Sequence, residues 1–300
     1  MKSTTEALSR GTVIGAWLRL LRPQQWVKNA FVLTPLVFSG RFTDLRSVEQ
    51  ALAAFVAFCL VASGVYAGND VVDRHADRAH PTKRHRPVAA GLIPVGGALA
   101  VALTCVGLAL AIALAVHPAL AAIIATYLGL NVLYTLWLKR VVLLDVFTIA
   151  AFFVLRLLAG ATAIAVTPSI WLLLCGGLLA LYLGFAKRRN ELVMLEDAGS
   201  HRRILQEYTV GLLDQLITIV TAATLMAYML YTFFSPTGKE RPWLMATIPF
   251  VIYGIFRFLY LMHRHGKGGD PSSELIEDRN LLVCALLFGL TAAAVMLLGR

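Results

Sequence analysis

Asn69, Asp70, Asp73 and Asp77 close a long apolar run, and Lys83, Arg84 and Arg86 follow within one short polar stretch. Acid and then base at the end of an apolar segment is the composition of a site for a metal ion and a phosphate. Carboxylates supply hard oxygen ligands, and Mg²⁺ is usually held by one or two of them together with the phosphates of a substrate. On an α-helix Asn69, Asp73, Asp77 and Asp70 fall at about 0°, 40°, 80° and 100°, so one stripe carries all four. These four are expected to be both the metal ligands and the catalytic set. An Asp at the centre of a bilayer costs roughly 3 kcal/mol, so three together require water, a cation cluster or a metal. The competing reading is a solvated rim where a helix leaves the membrane. The i, i+4, i+8 spacing favours a site. Lys83, Arg84 and Arg86 would neutralise a diphosphate that Mg²⁺ alone does not; positive loop residues without a ligand are the alternative.

The elements that position these groups are membrane spans. The 300-residue chain is 58% hydrophobic and 15% charged, with a mean hydropathy of +0.73, beyond what a soluble domain of this size needs. Breaking the chain at its charged and Pro/Gly-containing points gives spans near residues 24–40, 48–68, 95–116, 119–138, 141–166, 169–186, 210–234, 243–262 and 279–298. The expected architecture is all-α: a polytopic membrane protein of about nine transmembrane helices around a central cavity open to the cytoplasm. Residues 1–300 read as a single integral-membrane domain, with 1–16 a flexible cytoplasmic N-terminus.

Long polar stretches occur only at 69–94, 187–209 and 263–278, each after an even number of spans and so on the side of the N-terminus. That side holds most of the Lys and Arg, against Arg41, Arg46, Lys239, Arg241 and Arg300 opposite. The bias puts the N-terminus and long loops in the cytoplasm. The formal charge of +10 is then partly topology and implies membrane lipids rather than nucleic acid as surroundings. The four cysteines, Cys59, Cys105, Cys175 and Cys284, lie in apolar spans without a CxxC pair and read as packing residues. On the inner half of the first span, Arg22, Gln25 and Asn29 share one helical face, which would line an aqueous cavity. Of the two basic residues within spans, Arg156 is expected inside the protein and Arg257 to snorkel.

The motif Asn69-Asp70-x-x-Asp73-x-x-x-Asp77, with Arg86-Pro87 after it, resembles the UbiA superfamily of intramembrane prenyltransferases. The likeness extends over nearly the whole chain and implies nine helices, cytoplasmic catalytic loops, and Mg²⁺ and a diphosphate on the acidic motif. Tyr134 with Lys139-Arg140 is a further family-like element. The usual second signature, DxxxD, is replaced here by Lys187-Arg188-Arg189-Asn190-Glu191. An acidic pair has become one cation and one carboxylate, beside two guanidiniums able to grip phosphate through charge-assisted, sometimes bidentate bonds. Pairing of Lys187 with Glu191, i to i+4, with the arginines on lipid headgroups, is the alternative.

Together with Arg22-Pro23-x-Gln25-Trp26-Val27-Lys28-Asn29, these motifs look like one branch of the superfamily, the decaprenyl-phosphate phosphoribosyltransferases. That resemblance implies transfer of 5-phosphoribose from phosphoribosyl diphosphate (PRPP) to a polyprenyl (decaprenyl) phosphate, with release of diphosphate, for cell-wall arabinan precursors. The location it implies is a bacterial inner (plasma) membrane. Lys28, Lys83, Arg84, Arg86, Tyr134, Lys139, Arg140, Lys187, Arg188, Arg189 and Glu191 would then bind the substrate phosphates. Glu191 is open between metal ligand, ribose-hydroxyl acceptor and clamp for its basic neighbours. Self-association into a homo-oligomer is left open. The rival activities are prenyl transfer from a polyprenyl diphosphate to an aromatic acceptor, and transport without chemistry.

Overall fold

The computed structural model describes residues 14–80, 83–195, 203–266, 268–269 and 271–298. Residues 1–13 of the expected flexible N-terminus lie outside the described residues, whereas 14–16 open a helix that runs to residue 21. Lys2, Arg10, Arg202, Lys267 and Arg300 from the charge comparison lie outside them too.

Among the described residues every regular element is helical, as expected. The main helices are α1 (Leu45–Val72), the short α2 (Arg74–Ala79), α3 (Val95–Val116), α4 (Pro118–Leu136), α5 (Leu144–Ala163), α6 (Ile170–Leu195), α7 (Val210–Phe234), α8 (Ile248–His265), the short α9 (Pro271–Glu277) and α10 (Arg279–Leu298). Eight helical segments among the described residues are long and apolar enough to cross a membrane, so the chain is a multi-pass membrane protein. Local chemistry sets the boundaries. Asp44 accepts bonds from the Ser47 backbone N–H (3.2 Å) and hydroxyl (2.6 Å), capping α1. Thr209 accepts from the Leu212 N–H at 3.1 Å to start α7. Pro118, which needs no N–H partner, opens α4 directly after the extended His117.

Two departures bear on the motifs. The stretch 24–40, expected as a span, is a 3-10 helix over Pro23–Leu33 followed by a short α-helix over Thr34–Phe38. Pro23 disfavours α geometry at Arg22, which sits at φ +52° and ends the 14–21 helix. Secondly, α1 and α6 outrun the apolar runs that suggested them, so the motif residues are largely helical rather than in loops. Helix bonding is indifferent to the onset of polarity, and Lys, Arg and Glu are good helix formers.

The chain divides into two compact units, residues 1–30 with 52–128 and residues 31–51 with 129–300. In the first, α1 and α3 meet at Gly64, where a Cβ would lie 2.9 Å from the Ala102 carbonyl oxygen. Ser63 beside it accepts from the Trp26 indole at 3.0 Å and donates to the Leu21 carbonyl at 2.8 Å. In the second, α5 and α6 pack through Gly184 against Val146, and Tyr182, Phe185, Ile217 and Phe258 fill the adjoining core. Small residues at such crossings let membrane helices approach closely. Gly160 is the tightest case, since its Cβ would sit 1.9 Å from the backbone oxygen of Val32. Backbone cannot swing aside, so Gly160→Ala is expected to destabilise the protein by about 2–3 kcal/mol, read as a lower melting temperature in detergent.

Candidate active site

The acidic motif lies where α1 gives way to α2. Asp73 is a turn at φ −85°, ψ 2°, yet its N–H bonds the Asn69 carbonyl and the Asp77 N–H bonds the Asp73 carbonyl, both at 2.8 Å. The i→i−4 ladder thus runs through the break, and the expected stripe keeps its spacing. Asp70 and Asp77 are buried, 1% and 3% exposed, while Asn69 and Asp73 are half-buried.

Arginines hold the two buried carboxylates. Arg86 Nη1 lies 2.8 Å from Asp77 Oδ2 and 3.3 Å from Asp70 Oδ1. Arg22 donates to the same Asp70 oxygen and stacks 5.0 Å from the centre of the Tyr66 ring. The left-handed backbone of Arg22, costly for a non-glycine residue, is what turns that guanidinium toward α1. Arg86 is aimed by its own loop. Its N–H bonds the Lys83 carbonyl at 2.9 Å, the Leu92 and Ile93 N–H groups both bond the Pro87 carbonyl, and Val88 and Ala89 are buried. Arg78 ties α2 to this loop through the Ala89 carbonyl at 3.0 Å.

No three His, Cys, Asp or Glu side chains converge as a ready metal cage among the described residues. The donor set nevertheless fits a hard divalent ion: Asp70 Oδ2 is buried without a hydrogen-bond partner, and the surrounding Asn69, Asp73 and Asp77 offer oxygen. An orphaned buried carboxylate oxygen is a place where a cation lowers the energy.

The other expected ligands of this unit lie around that core. Lys83 is half-buried and Arg84 exposed, its Nε 3.4 Å from His85. Lys28 is bonded to Gln25 Oε1 at 2.5 Å. Asn29 is not on an open face but buried, with its amide 3.4 Å from Cys59 Sγ, because a 3-10 helix turns it away from the α-helical register of Arg22.

The second unit holds the Lys187–Glu191 motif, on the last turns of α6. Arg188 is 2% exposed and does not face headgroups. Its Nε lies 2.7 Å from Asp145 Oδ2 and its Nη1 2.5 Å from Glu191 Oε2. Asp145, wholly buried, takes a further bond on Oδ1 from the Tyr208 hydroxyl at 2.9 Å, and that hydroxyl accepts from the Leu143 N–H at 2.7 Å. Burial pushes the Tyr208 phenol up to about 12, so it stays a donor at working pH. Tyr134 lies near the same guanidinium and packs edge-on against Phe152 at 6.1 Å.

Arg189 points elsewhere, to Asp214 on α7 at 2.5 Å, with His263 3.5 Å from the same carboxylate. Asp214 opens a groove of about 590 Å³ between α7 and α8, lined by Ile217, Leu225, Phe256 and Leu259. Lys187 is half-buried, and Lys139 and Arg140 ride a single 3-10 turn, Leu138–Arg140. Arg156 is inside the protein as expected, donating to the Phe152 carbonyl at 2.8 Å. Arg257 does not simply snorkel; it pairs with Asp278 at 2.8 Å.

Asp145 and Tyr208 belong to no motif and escaped the sequence reading. The available signal was Asp145 itself, a carboxylate at the head of an apolar span that must find a cation.

The chain resembles known proteins along most of its length. A 35% identical relative, decaprenyl-phosphate phosphoribosyltransferase of Corynebacterium glutamicum, aligns with 90% of this chain and 83% of its own. The Mycobacterium tuberculosis protein of the same name is 33% identical over 96% of both chains. The solved structure of a UbiA homolog from Archaeoglobus fulgidus bound to GPP and Mg²⁺ superposes with a TM-score of 0.73 over 94% of this chain and all of that one, at 18% identity, a likeness of fold. The model of the UbiA prenyltransferase family matches residues 31–276, and the chain belongs to that family.

Proposed function

We propose that this protein transfers 5-phosphoribose from PRPP to a polyprenyl phosphate, decaprenyl phosphate by analogy with its named relatives, and releases diphosphate. The observation that carries the reading is the near-full-length likeness to relatives named for that activity. The Lys187–Glu191 motif supports it, because it stands where a prenyl diphosphate site has a second acidic pair for metal. The whole chain acts as one transferase of a bacterial plasma membrane, with N-terminus and active site cytoplasmic, as its Lys and Arg distribution indicates. Its product feeds cell-wall arabinan synthesis.

Asn69, Asp70, Asp73 and Asp77 would hold Mg²⁺, which when bound neutralises the diphosphate and improves it as a leaving group. Arg22 and Arg86 hold the buried carboxylates in place between turnovers. Lys83, Arg84 and Lys28 add positive charge for the donor phosphates. The bond from ribose C1 to the diphosphate oxygen breaks as a bond from C1 to an oxygen of the lipid phosphate forms. That phosphate is already largely dianionic near pH 7, its second pKa being about 6, so the chain needs to position it rather than deprotonate it.

The test is paired. Diphosphate release is measured with PRPP plus polyprenyl phosphate and with polyprenyl diphosphate plus an aromatic acid, each with Mg²⁺ and with chelator. Release from the first pair alone, abolished by chelator and restored by Mg²⁺, is the expected result. Release from the second pair alone would make the protein a prenyltransferase, and release from neither would point to transport.

A further inference from the structure

Resting on the phosphoribosyl reading, we infer that Glu191 binds the ribose hydroxyls of the sugar donor, and that Arg188, Asp145 and Tyr208 are positioning residues that hold it there. The chain of contacts is continuous: the Leu143 N–H to the Tyr208 hydroxyl, that hydroxyl to Asp145 Oδ1, Asp145 Oδ2 to Arg188 Nε, and Arg188 Nη1 to Glu191 Oε2. Asp145, Tyr208 and Arg188 are buried, and Glu191, with 27% of its side chain exposed, is the member that reaches open space. The network begins at a strained point, Leu143 at φ +67°, a geometry that persists only where the surroundings impose it.

Charge decides what Glu191 meets. Arg188 lies between two carboxylates, so the group carries one positive charge against two negative and offers no surplus for a phosphate. A carboxylate repels phosphate and accepts from hydroxyls. Of the two proposed substrates, PRPP carries a 2,3-diol on its ribose, and polyprenyl phosphate carries no hydroxyl on carbon. The guanidinium at 2.5 Å fixes one of the Glu191 carboxylate oxygens. A carboxylate so held is a specific acceptor for a sugar hydroxyl, and sites built to bond a hydroxyl reject analogues that lack it far more strongly than apolar pockets do.

The experiment is a cycle between enzyme and donor. kcat/KM is measured for the native protein, Glu191→Ala and Tyr208→Phe, each with PRPP and with its 2-deoxy and 3-deoxy analogues, at saturating polyprenyl phosphate. The native protein is expected to prefer PRPP over at least one analogue by about 10²-fold or more, and Glu191→Ala to lose all but about threefold of that preference. Tyr208→Phe, which keeps the ring and the fold, should raise KM for PRPP about tenfold and leave KM for the lipid unchanged. A merely structural Tyr208 would lower the active fraction with both KM values and the preference intact. If Glu191→Ala turns over too slowly, binding of PRPP and its analogues without acceptor reads the same difference. Undiminished preference in Glu191→Ala overturns the inference while leaving phosphoribosyl transfer standing. A native protein inert toward PRPP overturns both.

Discussion

Asp77→Asn is expected to lower kcat by about 10³-fold, the scale seen when one preorganised electrostatic contact to a transition state is lost. The replacement preserves shape and removes one charge. Asp77 is buried, 3% exposed, and its carboxylate is met by Arg86 at 2.8 Å, so the change acts both on a site oxygen and on the guanidinium that connects it to Asp70. Folding should survive, because Arg86 is about a quarter exposed and keeps Asp70 as a partner. Initial rates at rising Mg²⁺ check the assignment: if more ion restores the native rate, Asp77 only tunes metal affinity, and normal kinetics at every concentration removes it from the site. Asp73→Ala is expected to behave alike in rate. Its carboxylate is half-buried at the turn between α1 and α2, and the backbone ladder there does not depend on it.

The largest stability effect is expected at Asp145→Ala. It leaves the Arg188 guanidinium, 2% exposed, with Glu191 as its remaining acid, and breaking a buried pair by removing one partner costs about 3–5 kcal/mol. The Tyr208 hydroxyl loses its acceptor as well. The melting temperature in detergent should fall accordingly. Replacing both charged partners tests the cause: Asp145→Leu with Arg188→Met removes the uncompensated charge and should recover most of the loss, since apolar pairs of similar volume are often neutral substitutes. Turnover should not recover, because Glu191 is still without its guanidinium. An unaltered melting temperature in Asp145→Ala would mean that water reaches Arg188 and that the pair is not a buried one.

Much of this was legible in the residues. Hydropathy located eight of the crossings, because twenty or so apolar residues in a row have few other fates. The acidic motif and Arg86 were found by type and spacing, and the structure brings Asp70, Asp77 and Arg86 together. The helix type of the first stretch was not legible because composition does not report the backbone: two prolines, Pro23 and Pro35, lie in a segment whose apolarity alone suggested one α-helix. The basic motif was legible as charge but not as geometry. Lys187, Arg188 and Arg189 are consecutive, yet 100° per residue sends Arg188 inward to Asp145 and Arg189 outward to Asp214. Beyond the Arg188–Glu191 pair, what a cation in such a run does is decided by carboxylates more than twenty residues away, and spacing within the motif says nothing of them.

The pairing of two arginines with two buried aspartates has a consequence for the order in which substrates arrive. Within these pairs the two guanidiniums balance the two carboxylates. A bare divalent cation entering it would leave an excess of positive charge at low dielectric, and a bare diphosphate an excess of negative charge. Only the two together come close to cancelling. Under the proposed function, these pairs therefore favour the metal-bound donor, taken as a single species, over free metal or free anion.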